Sequence, residues 1–324
     1  MKPHNKSRTL IHPETQHIDS LVLVLVGPTA IGKTELSFTL ADRFACEIVS
    51  MDSVQVYRYL DIGSAKPSKE EQARVRHHLI DIVNPDEQYN AARFTRDCLA
   101  AINNICQRGK TPLVTGGTGL YLSSLINGLF KTVHVKDEIK EEVRAQLATK
   151  GLPALYQELA RIDPATAKRV HPNDSQRIMR GLEIFRATGT TWSEHLAAQK
   201  KQAPPVRFAR LFAIGLACER PVLHQRIKKR TEQMLAQGLV DEVVGLRNMG
   251  YGPELSSMQT IGYRHVNQYL AGHYDLDTMK QILCRDTRRY AKRQMTWFKR
   301  QSGLHWYERG AGKAICEDIE KFMQ

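Results

Sequence analysis

Residues 27–34 of this chain have the sequence GPTAIGKT and directly follow LVLVLV at 21–26. An unbroken apolar run of this kind is typical of a buried strand in a parallel sheet. The residues from Thr34 to Leu40 favour a helix. A glycine-bearing turn between strand and helix can bind phosphate, because its N–H groups and the helix dipole face the anion. We predict a phosphate-binding loop with Lys33 on the terminal phosphate and Thr34 on Mg²⁺, made of Gly27, Pro28, Thr29, Ala30, Ile31, Gly32, Lys33 and Thr34.

Strand and helix patterns alternate through the first 130 residues. Short strands are predicted at 47–50, 78–83 and 112–115, a helix at 91–108, and a later strand at 208–216. Repeated strand–helix units favour a sheet that is covered on both faces. We therefore predict an α/β fold, with a P-loop-type parallel sheet core that has helices on both faces.

The apolar spacing changes between residues 132 and 202. Apolar residues recur there every three or four positions, Asp174 is a plausible N-cap and Gly189 a stop. We predict an all-helical inserted domain at 132–202. The core then comprises 21–131 and 203–324, its C-terminal part from about Pro221 is mostly helical and basic, and residues 1–20 are a flexible N-terminal tail.

Composition restricts the class of protein. The 324 residues contain no apolar run of about 18 residues, so no transmembrane helix and no membrane partner are expected. No apolar signal segment opens the chain, and the six cysteines form no C-x-x-C pair, which favours reduced thiols and a cytoplasmic location. The net charge is +13, of which +9 belongs to residues 201–324 (21 Lys and Arg against 12 Asp and Glu). This excess suggests a polyanionic partner, most simply nucleic acid, although a basic solvated surface also explains it.

Two carboxylates are candidates for chemistry. Asp52 follows the strand at 47–50, at the sheet edge where α/β folds place ligands. It is a metal-linked carboxylate, a general base, or only a cap on the next turn. Asp81 lies within the predicted strand 78–83 and is a second candidate for the metal. A carboxylate in mid-strand needs a partner whatever its role.

Other segments have both a functional and a plain structural interpretation. The glycines of GGTGLY at 116–121 allow either a close approach of the backbone to a ligand or only a tight turn. Arg177 and Arg180 share a helix face, which contacts either nucleic-acid phosphates or only solvent. The stretch 285–300 presents a basic helical face, for which phosphate contact and solvation are equally plausible. We expect Tyr290, Trp297 and Phe298 to anchor its other side. The histidines form no ligand set.

Six motifs occur in a characteristic order: GPTAIGKT, DSVQVY (52–57), IGSAKP (62–67), GGTGLY, HPNDSQRIMR (171–180) and QTIGYR (259–264). Together they resemble the bacterial tRNA dimethylallyltransferases over about residues 21–307. The resemblance implies transfer of a dimethylallyl group from dimethylallyl diphosphate to the exocyclic amine of adenosine 37, in tRNAs that read codons starting with U. It also implies Mg²⁺ as cofactor.

The resemblance assigns roles to individual residues. It implies Asp52, Thr34 and Arg230 as catalytic residues, with Asp52 as general base and Arg230 and the loop stabilising the diphosphate. Thr34 holds Mg²⁺, with Asp52 or Asp81 as a possible second ligand. Gln55 is an apt reader of an adenine edge, and Thr118 bounds the acceptor channel. The implied tRNA-binding residues are Asp52, Ser53, Val54, Gln55, Thr118, Gln176, Arg177, Ile178, Met179, Arg180, Gln259, Thr260, Ile261, Gly262, Tyr263 and Arg264.

The resemblance further implies that the helical insertion grips the tRNA anticodon stem-loop and that the target base is flipped out of its stack. We expect a monomer. Three other functions compete with this one. A small-molecule or nucleotide kinase shares the loop but explains neither DSVQVY nor the basic C-terminal third. A non-catalytic RNA-binding NTPase leaves Asp52 unused, and prenylation of free adenine nucleotides leaves the basic surface unused.

Overall fold

The computed structural model describes residues 16–128, 133, 135–200 and 206–324. The chain forms two compact units: 16–126 with 206–324, and 127–205 as far as it is described. The predicted insertion at 132–202 falls within the second unit. Of the predicted tail at 1–20, residues 1–15 lie outside the described part.

The larger unit contains a six-stranded parallel sheet among the described residues, ordered β3-β2-β4-β1-β5-β6. Its strands are β1 Gln16–Val26, β2 Cys46–Met51, β3 His77–His78, β4 Thr111–Gly116, β5 Val206–Ala217 and β6 Leu304–Glu308. Its helices are α1 Lys33–Phe44, α2 Lys69–Arg74, α3 Ala91–Gln107, α4 Gly119–Asn127, α9 Arg220–Ala236, α10 Leu239–Asn248, α11 Tyr263–Leu270, α12 Leu276–Phe298 and α13 Gly312–Met323, with a 3₁₀ turn at Ser257–Gln259.

The sheet has helices on both faces, as predicted. Successive side chains of a strand point to opposite faces. Leu23 and Leu25 of β1 pack in one apolar cluster with residues of α1 and α13. The intervening Val24 is equally buried, and α3 contacts β1, β2 and β4. This double coverage explains why β1 is apolar at every position from 21 to 26.

Three strand predictions need correction. β1 begins at Gln16, because Ile18 is buried and pairs with Phe208, so residues 16–20 are not a tail. The predicted strand 78–83 is wrong: β3 ends at His78, and positive φ at Leu79 (63°) and Asp81 (56°) turns the backbone away. β6 was not expected, because its five residues are mostly exposed and carry no apolar run.

The smaller unit is helical throughout its described elements, as predicted. Its helices are α5 Asp137–Ile162, α6 Pro164–Arg169, α7 Ser175–Thr188 and α8 Trp192–Lys200. The N-cap at Asp174 is confirmed, since its side chain accepts the Arg177 N–H (3.1 Å), and the helix stops at Gly189 with φ of 70°. The core of this unit joins α5 to α7 through residues such as Leu159 and Ile178.

Candidate active site

The phosphate-binding loop leads from β1 into α1, as its sequence predicts. Cationic side chains hold its carbonyl groups: Lys33 Nζ donates to the Gly27 oxygen (2.9 Å) and the Pro28 oxygen (3.0 Å). Arg226 Nε of α9 donates to the Ala30 oxygen at 2.6 Å. The first N–H groups of α1 have no acceptor within the helix. The loop therefore offers an anion a turn of backbone donors surrounded by positive charge.

A cavity of about 950 Å³ lies beside this loop within the larger unit. It brings together residues that are far apart in the sequence but belong to the predicted motifs. Of the loop, Thr29 to Thr34 line it. The other motif residues on its wall are Asp52, Ser53, Val54, Gln55, Gly63, Ser64, Ala65, Gly116, Gly117, Gln259, Thr260, Ile261 and Gly262, and α9 and α12 supply Arg226, Lys229, Arg230, Tyr290, Arg293 and Gln294.

Charges of both signs meet in the cavity. The pKa of Lys33 is lowered to about 7, first by burial and then by the charge of Arg230, while Asp52 acts in the opposite direction. Burial also lowers the pKa of Arg230, and Asp52 again opposes the shift. Two half-buried cations therefore lie near one carboxylate. An incoming anion would relieve the repulsion between Lys33 and Arg230.

Asp52 caps the turn after β2 and also lines the cavity. Its Oδ1 accepts the N–H groups of Val54 (2.8 Å) and Gln55 (3.3 Å), which fixes the turn after β2. A carboxylate has two oxygens and about four acceptor positions. These two bonds orient the carboxylate toward the cavity and leave some of its acceptor positions free for a substrate.

Gln55 lines the cavity, but its amide is used within the protein. Nε2 donates to the carbonyls of Ser64 (3.4 Å) and Ala65 (3.1 Å), and Oε1 accepts from Ser50 Oγ (3.0 Å). Pairing with an adenine edge would require these bonds to exchange. The side chain as it lies holds the loop 63–65 against the strand end.

Two predicted tRNA-binding residues, Thr118 and Tyr263, are not part of the cavity lining. Thr118 is half-buried and directly follows Gly116 and Gly117, which line the cavity. Tyr263 is fully buried, and its hydroxyl donates to Glu242 at 2.6 Å. Its ring packs against Gly63, where an added Cβ would lie 2.6 Å away, so it supports the cavity wall from behind. Its neighbour Arg264 pairs with Asp286 at 3.4 Å.

The candidates on α7 belong to the smaller unit and divide by exposure. Gln176 and Arg177 are exposed, and Arg177 pairs with Asp174 at 3.5 Å. Met179 and Arg180 are half-buried, and Arg180 pairs with Glu183 at 3.5 Å. Ile178 is fully buried in the core of the unit, so its side chain cannot contact a partner. Helical spacing explains the division, because position 178 faces inward while 177 faces outward.

The candidate metal ligands Thr34, Asp52 and Asp81 do not all lie at the same place. Asp81 is half-buried, and two lysines lie at its carboxylate: Lys66 Nζ at 2.5 Å and Lys69 Nζ at 3.6 Å. It does not line the cavity, whereas Thr34 and Asp52 do. Within the described ranges, no group of three or more His, Cys, Asp or Glu side chains is arranged to hold a metal ion. Any Mg²⁺ here therefore needs oxygens from a substrate or water, which is the usual coordination of this ion.

α12 contributes more to the cavity than its sequence suggested. Its basic residues Arg285, Arg289 and Lys292 are exposed, as the predicted charged face requires, and Phe298 is core. Tyr290, expected to anchor the helix, instead lines the cavity with Gln294. Burial and the charge of Asp52 raise the pKa of Tyr290. The sequence did contain a signal for this position: Tyr290 and Gln294 are polar, lie four residues apart, and share the helix face opposite the arginines.

Comparisons with known proteins give the family of this chain. The model of the family described as IPP transferase matches residues 55–301. The chain belongs to the IPP transferase family. A curated tRNA dimethylallyltransferase of Desulfotalea psychrophila is 50% identical over 95% of this chain and 98% of its own. Family membership and this long alignment make the chain an enzyme of the prenyl-transferring, tRNA-modifying class.

Solved structures of family members share the fold. A tRNA isopentenylpyrophosphate transferase of Bacillus halodurans is 36% identical with a TM-score of 0.68, covering 94% of this chain and 96% of its own. A eukaryotic dimethylallyltransferase, solved while acting on tRNA, is 29% identical with a TM-score of 0.75, covering 94% of this chain and 80% of its own. In the described ranges, no helix has both the length and the apolar character of a membrane span.

Proposed function

We propose that this chain transfers the dimethylallyl group of dimethylallyl diphosphate to the exocyclic amine of adenosine 37 in tRNAs that read codons starting with U. One observation carries the proposal: Lys33 at the end of the loop, Arg230 of α9 and the carboxylate of Asp52 meet in one cavity. A diphosphate leaving group needs the cations, and an amine nucleophile needs the carboxylate. A kinase would share the loop, but it explains neither DSVQVY nor the basic C-terminal third.

The donor binds with its diphosphate on the N–H groups of the loop and the first turn of α1. Lys33 and Arg230 supply positive charge where negative charge develops as the leaving group departs, which is the main source of rate in such sites. Thr29 lines the same part of the cavity.

The reaction itself balances with the groups present. The adenine nitrogen attacks the terminal allylic carbon, a C–N bond forms, and the C–O bond breaks with its electron pair passing to diphosphate. The nitrogen then carries an excess proton, because its lone pair has become the new C–N bond. Since that lone pair is delocalised into the ring, the amine is a poor nucleophile and needs a base as the bond forms. Asp52 accepts that proton as general base.

Mg²⁺ fits the donor set. The hydroxyl of Thr34 and the carboxylate of Asp52 both line the cavity, and this ion commonly takes one or two protein oxygens beside substrate phosphates. When bound it would neutralise charge on the diphosphate. Asp81 is not part of this set, because Lys66 and Lys69 occupy its carboxylate.

We assign the tRNA to two surfaces. The exposed Gln176 and Arg177 lie on the helical unit, which we propose binds the anticodon stem-loop, and α12 exposes its arginines. Basic side chains of this kind contact phosphates and position the RNA. A single chain supplies every group invoked, so we propose that the enzyme acts as a monomer in the cytoplasm.

The test is a direct assay of the product. Purified protein, unmodified tRNA and radiolabelled dimethylallyl diphosphate are incubated, and the digested RNA is analysed for the labelled nucleoside. We expect isopentenyladenosine, its absence from tRNA that carries guanosine at position 37, and its loss in Lys33→Met. Label on free adenosine monophosphate but not on tRNA, or phosphoryl transfer from γ-labelled ATP, would contradict the proposal.

A further inference from the structure

Gln294 connects three parts of the active site through one buried amide. Its side chain is on α12 and the residue is only 4% exposed. Oε1 accepts the backbone N–H of Thr29 in the phosphate-binding loop at 2.9 Å. Nε2 donates to the backbone carbonyl of Gly117, in the glycine-rich turn after β4, also at 2.9 Å. The amide therefore bridges two loops that follow neighbouring strands of the sheet.

The conformation of the phosphate-binding loop depends on side chains from three different elements. Lys33 holds the carbonyls of Gly27 and Pro28, and Arg226 of α9 holds the carbonyl of Ala30. Gln294 holds the Thr29 N–H between them. Thr29 is thereby turned toward α12, while the N–H groups at the start of α1 stay at the anion-binding end of the loop.

The glycine at position 117 is explained by the same amide. An added Cβ would lie 2.2 Å from Gln294 Nε2, whereas its next nearest atoms, Gln294 Cδ and the Gly27 oxygen, would be 3.4 Å and 3.9 Å away. The main obstacle to a side chain here is therefore Gln294. Residues 116 and 117 line the cavity close to Asp52, so the amide sets the distance between the donor loop and the opposite wall.

We propose that Gln294 is a positioning residue for group transfer: it fixes the phosphate-binding loop relative to the glycine-rich turn, so that donor and acceptor meet in reactive geometry. This inference rests on the proposed function. Gln294 contacts the loop at Thr29, while the N–H donors at the start of α1 do not depend on it, so we expect diphosphate binding to depend on Gln294 less than the rate of transfer does. Misplacement of reacting groups by about 1 Å costs on the order of 100-fold in rate.

Two variants separate the two hydrogen bonds. Gln294→Glu has nearly the same shape and still accepts from Thr29, but an ionised carboxylate cannot donate to the Gly117 carbonyl. Gln294→Met removes both bonds while filling a similar volume. We expect kcat to fall about 30- to 100-fold in both variants, by the same misalignment argument. We expect the dissociation constant of inorganic diphosphate to change less than about threefold, since the donors at the start of α1 remain.

Rates are normalised to the fraction of protein that binds diphosphate, which removes losses from misfolding. Amide hydrogen exchange at Thr29 supplies a readout that needs no activity. Its protection should persist in Gln294→Glu and drop at least about tenfold in Gln294→Met, because only the second variant removes the acceptor. Absence of prenyl transfer in the wild type would refute the proposed function, and the exchange result would still decide the role of Gln294.

A double-mutant cycle tests the contact with Gly117. Gly117→Ala should reduce kcat strongly in the wild type and weakly beside Gln294→Ala, because the shortened side chain leaves room for the new methyl group. Additive effects would overturn the proposal. So would normalised kcat values of Gln294→Glu and Gln294→Met within about threefold of the wild type, well short of the loss expected from misalignment.

Discussion

Lys33 gives the chain a measurable coupling between pH and diphosphate binding. Its pKa in the free protein is about 7, because burial and Arg230 disfavour the ammonium form. A bound diphosphate adds several negative charges beside the ammonium group and returns the pKa to its ordinary range or above. The lysine therefore takes up a proton on binding whenever the pH lies above about 7.

The sign and size of the effect follow from linkage. Below pH 7 the lysine is charged in both states and contributes a constant affinity. Above pH 7 the affinity that the lysine contributes decreases by nearly tenfold for each pH unit. Between pH 6 and pH 9 the loss of affinity reaches about 100-fold, or ~2.7 kcal/mol. At pH 8 about 0.9 proton is taken up per diphosphate bound, by the same titration.

Calorimetric titration with inorganic diphosphate, in buffers of different ionisation enthalpy, measures both affinity and proton uptake. Diphosphate titrates in this range itself, so the quantity compared is the ratio of wild-type to Lys33→Met affinity. We expect this ratio to fall about 100-fold from pH 6 to pH 9, and the extra proton uptake to vanish in the variant. A ratio that stays constant across this range would refute the assignment of Lys33 as a buried titrating contact of the anion.

Four other substitutions test the remaining assignments. Asp52→Ala should lower turnover by about 10²- to 10⁴-fold while diphosphate affinity, followed by calorimetry, survives; an equal loss of affinity would place Asp52 on the metal instead. Arg177→Ala should weaken tRNA binding and reduce its salt dependence by about one charge, and unchanged binding on filters at two salt concentrations would make this residue a solvated side chain. Ile178→Ala should lower the free energy of unfolding by about 2–5 kcal/mol, because the side chain is core; denaturant titration showing a loss below 1 kcal/mol would contradict its burial. Gly63→Ala places a Cβ 2.6 Å from the ring of Tyr263 and should lower the melting temperature, and an unchanged melting curve would mean that the ring moves aside freely.

The sequence predicted the elements that depend on local chemistry. β1, α1 and the loop between them are set by an apolar run and a glycine-bearing turn that precedes helix-forming residues, all between residues 16 and 44. The helical unit followed from spacing, and its N-cap at Asp174 from a single side chain that bonds three residues ahead. Periodicity also showed that α12 has a basic face. The resemblance of six motifs added the family, which the comparisons confirm.

The sequence pattern could not predict which side chains become partners when they are far apart in the chain. The sequence shows that Gln55 carries an amide, but only the packing of residues 63–65 beside β2 shows that this amide is occupied. Asp81 seemed to lie within a strand, and only the fold brings Lys66 to it and reveals a turn with positive φ. β6 was missed because an edge strand needs little apolar character once β5 supplies its hydrogen bonds.

The amino-acid order by itself determined the phosphate-binding loop, the alternation of strands and helices, and the basic character of the C-terminal third. Each of these depends on residues within a few turns of one another or on a sum of charges. The tertiary structure alone decided that Gln294, 265 positions from Thr29, completes that loop. The physical reason is that a hydrogen bond acts over about 3 Å in space, while the sequence records only neighbours along the chain.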